Sequence, residues 1–120
     1  MTNRLPKHLF DARAAARLAR EFCAGVDLPQ YEASALLRSA VERQLEILGE
    51  AARRCLDVEP TLKQRVPGLP LAMALRNRII HGYDRVENRI LFDTVARDRP
   101  DLIAALGREL AAYPSPDDAV

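Results

Sequence analysis

The chain has 120 residues, with 18 Lys and Arg against 17 Asp and Glu, so its formal net charge is only +1. This length fits one domain with its own core, and the charge excludes a bulk basic field, so any contact with nucleic acid needs a local patch. The composition is rich in alanine, leucine and arginine and has only three Tyr, three Phe and no Trp, which favours packed helices over sheets.

Two absences in the sequence bear on location. The N-terminus lacks the apolar region of a secretion signal, and no apolar run approaches the length of a membrane span. Cys23 and Cys55 lack metal-ligand spacing and fit free, buried thiols in a reducing compartment. We therefore expect a soluble cytoplasmic protein that does not enter a membrane.

The first half of the chain predicts two long helices. The first covers residues 7–24 and ends at Gly25, after which Asp27 can cap the next helix and Pro29 fits its first turn. The second covers about 30–57. Its apolar stripe is too wide for one contact face and must be covered on two sides, by its own domain or by a second subunit. The expected stripe of the first helix is Leu9, Phe10, Ala14, Arg17, Leu18, Glu21 and Phe22.

Three residues in the long second helix raise separate questions. Gly49 costs about 1 kcal/mol against alanine, and a close helix crossing would explain it. Glu46 and Glu50 lie one turn apart and could bind a metal, but no His or Asp partner stands at a helical spacing, so a solvated or salt-bridged face is preferred. One of these carboxylates could pair with Arg76 across the core and hold its guanidinium.

The second half predicts shorter elements. A short helix within 59–64 and a turn at 67–70 come first. A helix over about 70–81 follows, with Met73, Leu75, Ile79 and Ile80 buried, and then a loop at 82–87. The last two helices cover 88–98, with a break at 98–100, and about 100–112. The fold class that follows is all-α, an antiparallel bundle of four to five helices formed by residues 1–113. Residues 114–120 read as a disordered tail.

The helix at about 70–81 ends in Arg76-Asn77-Arg78-Ile79-Ile80-His81-Gly82-Tyr83. Asn77 and His81 are four residues apart and share a helical face. Arg76 and His81 are about 140° apart on an ideal helix, yet they can converge on one ligand because arginine is long and Gly82 loosens the last turn. An arginine, an amide, a histidine and a phenol within eight residues are unusual for a plain core segment.

These residue types suit cleavage of RNA, which carries its own nucleophile in the 2′-hydroxyl. Histidine can act as base or acid near neutral pH, and arginine offers a fork of donors that matches a phosphate, so no metal is required. A single site has one histidine, His81, and a symmetric dimer would supply a second. His8, at the start of a helix, is not expected to be catalytic. Spacing alone leaves a plain role open, with His81 as a capping residue and Arg76 as a salt-bridge partner.

Three blocks of this sequence resemble the HepT-like proteins of the HEPN group. Arg76 to Tyr83 resembles the family signature Arg-x4-His-x-Tyr, and Leu45-Glu46-Ile47-Leu48-Gly49-Glu50-Ala51-Ala52 resembles its Leu-Glu-x-Ile-Gly-Glu-Ala-Ala helix. Phe92-Asp93-Thr94-Val95, followed by Asp98 and Pro100, resembles its Trp-Asp-Thr-Val segment. The likeness covers roughly residues 7–112 and departs at residues 71–75, where the family usually carries a tryptophan and a basic residue.

The resemblance implies a four-helix bundle that dimerises and brings two motif segments together. It also implies an RNase that is the toxin of a type II toxin–antitoxin system, with Arg76 and His81 catalytic and Asn77 supporting. The implied antitoxin is a small nucleotidyltransferase, MNT, which transfers AMP from ATP to Tyr83, and no cofactor is implied. An AMP group on Tyr83 would block RNA by its bulk and its negative charge.

Two other functional classes stay open from the sequence. One is a non-catalytic nucleotide-binding partner subunit of a nucleotidyltransferase, which the combination of Arg76, His81 and Tyr83 disfavours because a pure binder has no need of the histidine. The other is a structural dimer without a ligand. It predicts that substitution of His81 changes stability alone.

Overall fold

Four helices of 12 or more residues dominate the computed structural model, which describes residues 4–81 and 88–113. The helices are α1 (Leu5–Cys23), α2 (Leu28–Ala33), α3 (Ala35–Val58), α4 (Leu62–Arg65), α5 (Gly68–His81), α6 (Asn88–Asp93) and α7 (Arg99–Leu110), with a π-helical turn at Thr94–Asp98 between the last two. The described residues contain no strand, which confirms the all-α class. Within the same ranges, no helix has the length and apolar character needed to cross a bilayer.

Helix α3 is the central element of the bundle. It packs against α1 on one side and α5 on the other, while α7 packs on α1. The predicted wide apolar stripe is therefore covered on two sides within this one domain. Its buried members are Val41, Leu45, Leu48, Ala51, Ala52 and Cys55. Both cysteines are buried and free, as expected.

The buried face of α1 differs from the expected stripe. Phe10 is 55% exposed and Leu18 is 39% exposed. The buried residues are instead mostly small: Leu5, His8, Leu9, Ala12, Ala15, Ala16, Ala19 and Cys23. Because α1 packs against both α3 and α7, it turns its alanines inward, where small side chains let neighbouring backbones approach closely. The larger apolar side chains, Phe10 and Leu18, lie outward.

The segment expected as one helix over about 30–57 is two helices. The chain leaves helical geometry at Ser34, where ψ is 102°, and the Ser34 hydroxyl accepts a hydrogen bond of 3.1 Å from the Leu37 amide to cap α3. The predicted cap at Asp27 is confirmed, because its carboxylate accepts from the Gln30 amide at 2.8 Å. Gly25 follows the end of α1 with a φ of +72°, a conformation that glycine adopts without strain.

Two predicted breaks near prolines differ in the structure. The expected turn at 67–70 is shorter than predicted: Val66 and Pro67 separate α4 from α5, and α5 already begins at Gly68. Pro70 is tolerated there because it sits in a first turn that needs no amide donor from it. The expected break at 98–100 is a π-helical turn that runs directly into α7. Pro100 lacks the amide for a bond to the carbonyl four residues before it, which matches the local change from α to π bonding. The predicted loop 82–87 and tail 114–120 lie outside the described residues.

The close crossing predicted at Gly49 is confirmed. A Cβ placed on Gly49 would lie 2.9 Å from the Ala72 carbonyl oxygen and 2.8 Å from Cδ of Arg76, and would overlap Cβ of Arg76. Real Cβ atoms do not come this close to backbone atoms, so α3 and α5 can adopt this spacing only with glycine at position 49. The position of α5, which carries the candidate catalytic residues, therefore depends on the lack of a side chain at Gly49.

We expect Gly49→Ala to lower the free energy of unfolding by about 1–3 kcal/mol, because a methyl group forced into this contact shifts α5 away from α3. Gly107→Ala is the matched control in α7. Among the described residues, a Cβ there meets only Nη1 of Arg13, at 3.7 Å, so the higher helix propensity of alanine should raise the free energy of unfolding by up to about 1 kcal/mol. Urea denaturation measures both. Equal effects of the two substitutions would contradict the tight crossing.

Candidate active site

The last two turns of α5 carry three of the four predicted site residues. Arg76 is half-buried, Asn77 is exposed, and His81 is the exposed last residue of the helix. Tyr83 lies outside the described residues, so its assignment stays a prediction. The backbone positions of Arg76 and His81 are thus five residues apart, about 7.5 Å along the helix axis. Oδ1 of Asn77 accepts a long hydrogen bond, 3.5 Å, from Nη1 of Arg76, which fits the predicted supporting role.

The guanidinium of Arg76 is paired with α3. Its Nη2 lies 3.4 Å from Oε2 of Glu50, and the two side chains are 28% and 29% exposed. The sequence predicted that Glu46 or Glu50 would pair with Arg76, and the structure selects Glu50. This pairing follows from the contact at Gly49, because the stem of Arg76 lies directly on the backbone of α3 beside Glu50.

Glu50 also binds two arginines of its own helix. Nη2 of Arg53 lies 2.6 Å from Oε1 of Glu50, and Nε of Arg54 lies 3.1 Å from the same oxygen. The hydrogen bond from Arg53 is the main cause that lowers the pKa of Glu50 to about 2, with Arg54 and the charge of Arg76 adding to it. Glu50 is therefore ionised across the physiological range. Glu46 pairs with Arg43 at 3.4 Å, so the salt-bridged interpretation of the two carboxylates is confirmed.

A groove of about 450 Å³ runs along the outer face of α3 between α1 and α5. Its lining brings Arg76 and Glu50 together with Arg54, and its walls include the apolar side chains of Leu18 and Ile80. Ile80 was expected to be buried but is 46% exposed, because it lies on the wall of this open groove. Arg78 faces a different groove, between α5 and α7, and so lies on another side of α5 from Arg76.

His8 also lines the groove with Arg76, although the two are distant in sequence. It is 9% exposed, and burial, followed by the positive charge of Arg54, lowers its pKa. His8 is therefore a neutral side chain in the groove at neutral pH. No sequence signal pointed to this position, because helical periodicity does not tell which end of α1 meets which part of α3.

Two side-chain types suited to phosphodiester chemistry thus lie in the last two turns of α5, with Arg76 on the groove wall and His81 at the helix end, outside the groove lining. An arginine held by a carboxylate can bind a phosphate oxygen, and an exposed histidine can transfer a proton. The arrangement can therefore bind an anion and transfer a proton at the end of one helix of the all-α bundle.

The comparisons with known proteins identify the family. The profile of the family described as Ribonuclease HepT-like matches residues 12–108, and the chain belongs to that family. It is 32% identical over 95 residues to the "Probable ribonuclease HepT" of Thermococcus cleftensis, a match that covers 79% of this chain and 86% of that protein. It is 30% identical over 96 residues to the "Putative RNase MJ1380" of Methanocaldococcus jannaschii, covering 78% and 85%. No solved structure matches the chain at a significant level.

The pairing of Glu50 predicts a dependence of stability on pH. The folded state lowers the pKa of this carboxyl from its ordinary 4.5 to about 2. A lowered pKa stabilises the fold above pH 4.5, and this contribution disappears as the pH falls toward 2. We expect Glu50→Gln to cost about 1 kcal/mol at pH 7, since partly exposed ion pairs are screened by solvent, and much less near pH 3. Urea unfolding of both proteins across this range measures the difference, and a cost that does not change with pH would refute it.

Proposed function

We propose that this protein is a metal-independent endoribonuclease and the toxin of a type II toxin–antitoxin system, with Arg76 and His81 as catalytic residues. The observation that carries the proposal is the pairing of Arg76 with Glu50, which holds a phosphate-binding side chain one and a half turns from a histidine. Membership in the ribonuclease HepT-like family supports the same reaction.

In the proposed reaction, the 2′-oxygen of RNA attacks the neighbouring phosphorus and the 5′-oxygen leaves. The products are a 2′,3′-cyclic phosphate and a free 5′-hydroxyl. Arg76 donates hydrogen bonds to the non-bridging oxygens, where negative charge accumulates in the transition state. His81 takes the proton of the 2′-hydroxyl or delivers one to the 5′-oxygen. Asn77 helps to orient Arg76 through the bond between their side chains.

The proposed active unit is a homodimer, in which a second copy supplies the other histidine. Exposed apolar side chains beside the site support this arrangement. Leu18 and Ile80 lie on the walls of the groove, and Ile80 directly precedes His81. A second copy that covers these side chains would remove apolar surface from water and bring two motif segments together.

We expect purified, unmodified protein to cleave total RNA in excess EDTA, and His81→Ala to lower the rate by about 10²–10⁴-fold, the usual contribution of a general acid or base. The variant must be folded and of the same oligomeric size. Equal cleavage by both proteins would mean contamination or another site. Absence of cleavage by either would favour a nucleotide-binding partner subunit, once mass spectrometry has excluded AMP on Tyr83.

Regulation by adenylylation is the second part of the proposal. A nucleotidyltransferase antitoxin would bind ATP, and the Tyr83 hydroxyl would attack the α-phosphorus, losing its proton as pyrophosphate leaves. Tyr83 follows His81 by two residues in the sequence, so a phosphodiester-linked AMP there places bulk and negative charge next to the site. RNA would then be excluded by contact and by repulsion.

Incubation with ATP and a small nucleotidyltransferase of this type should add the mass of one AMP to Tyr83 and abolish RNA cleavage. Tyr83→Phe should prevent the addition. Tyr113→Phe, at the end of the described chain, should leave it intact and serves as the matched control. Peptide mass spectrometry locates the modification, and an AMP found on any other residue would contradict this regulation.

A further inference from the structure

The two neighbouring arginines of α3 use their guanidinium groups differently. All three nitrogens of Arg53 are engaged, with Nε and Nη2 bonded to Glu50 and Nη1 bonded to Asp57 at 2.9 Å. Arg54 is bonded to Glu50 through Nε alone. Within residues 4–81 and 88–113, its two terminal nitrogens have no hydrogen-bond partner. Arg54 therefore keeps the pair of donors that arginine presents to a phosphate.

Arg54 also faces the groove, whereas Arg53 does not line it. Arg54 and Arg76 touch the two different oxygens of the Glu50 carboxylate, at 3.1 Å and 3.4 Å. The two guanidinium groups therefore flank the Glu50 carboxylate on the wall of the groove. This places them close enough to contact neighbouring phosphates of one strand.

The remaining acidic groups of the groove each have a cation of their own. Asp11 pairs with Lys7 at 2.8 Å, and Glu46 pairs with Arg43 at 3.4 Å. Glu50, by contrast, is shared among three arginines. One of the three, Arg53, is further neutralised by Asp57. The positive charge that stays uncompensated therefore belongs to Arg54 and Arg76.

The groove has two chemically different ends. His8 lies near enough to Arg54 to feel its charge, so these two residues share one end of the groove. Leu18 follows His8 by ten residues, about 15 Å along α1, and lines the groove at the other end with Ile47 and Ile80. The apolar end fits the proposed second copy. The end with Arg54 is polar, carries the uncompensated charge and leads directly to Arg76.

We propose that Arg54 is a second phosphate-binding residue, which contacts the RNA phosphate next to the one held by Arg76. The inference rests on the proposed ribonuclease function. Glu50 positions both arginines, so the strand would run along α3 from Arg54 to Arg76 and His81. An acidic protein segment could accept hydrogen bonds from the same two terminal nitrogens, because carboxylate and phosphate both match that donor pair. RNA is favoured because Arg54 shares its groove with Arg76, the proposed phosphate-binding residue of the catalytic site.

The test is RNA binding as a function of salt, with a fluorescein-labelled single-stranded RNA that carries 2′-O-methyl groups and cannot be cleaved. Fluorescence anisotropy at several KCl concentrations gives the slope of log K against log salt. Loss of one phosphate contact on a single strand should reduce the size of this slope by about 0.7. We expect Arg54→Gln to show this reduction and to weaken binding several-fold at low salt.

Arg53→Gln is the matched control, since it removes one arginine charge at the adjacent position from a side chain that binds the same carboxylate, Glu50. It should leave the slope unchanged. Arg54→Lys should also keep the slope, because it retains the charge, and it guards against a folding defect in Arg54→Gln. Equal loss in Arg53→Gln and Arg54→Gln would overturn the inference in favour of a general charge effect. So would an unchanged slope in Arg54→Gln.

Failure of the ribonuclease proposal and failure of the Arg54 inference would give different results in these experiments. If the wild type neither cleaves RNA in EDTA nor binds the methylated strand, the ribonuclease proposal is wrong and this inference falls with it. If the wild type cleaves RNA while Arg54→Gln binds the methylated strand as the wild type does, the inference alone is wrong.

Discussion

The contact between Gly49 and Arg76 is the constraint on which the candidate site depends. Without a side chain at position 49, the stem of Arg76 lies against the α3 backbone, and its guanidinium comes within 3.4 Å of Glu50. Two adjacent residues of α3 thus position Arg76. Gly49 permits the close approach of α3 and α5, and Glu50 binds the guanidinium of Arg76. A substitution would disturb Arg76 at either position, by a steric clash at Gly49 and by loss of the ion pair at Glu50.

The packing of α1 has a consequence for the same region. Small side chains such as Ala15 and Ala19 face the core, so the bulkier Phe10 and Leu18 lie outward. This inversion leaves apolar surface on the groove wall opposite Ile80. A helix with the expected stripe would have buried Leu18 and left a more polar wall. The proposed dimer surface therefore arises from how α1 packs against its neighbours, next to the proposed catalytic residues.

The positive charge in the groove comes from the excess of arginines over carboxylates around Glu50. Glu50 is bound by three arginines, which lowers its pKa and keeps it ionised. Glu50 and Asp57 offset two of the three arginine charges, so one unit of positive charge remains where Arg54 and Arg76 face the groove. A chain with a net charge of only +1 can in this way present a local site for an anion. The remaining carboxylates of the groove do not cancel it, because each has its own partner.

Sequence alone determined the helical class, the motif on α5, the cap at Asp27 and the need for a close crossing at Gly49, because these depend on local propensity and spacing. Tertiary structure decided which carboxylate meets Arg76, which face of α1 is buried, and that His8 shares a groove with the motif. These outcomes depend on the distance and direction between helices that are remote in sequence. Periodicity defines the faces of a helix, but only the packed neighbours determine which face is covered and what it meets there.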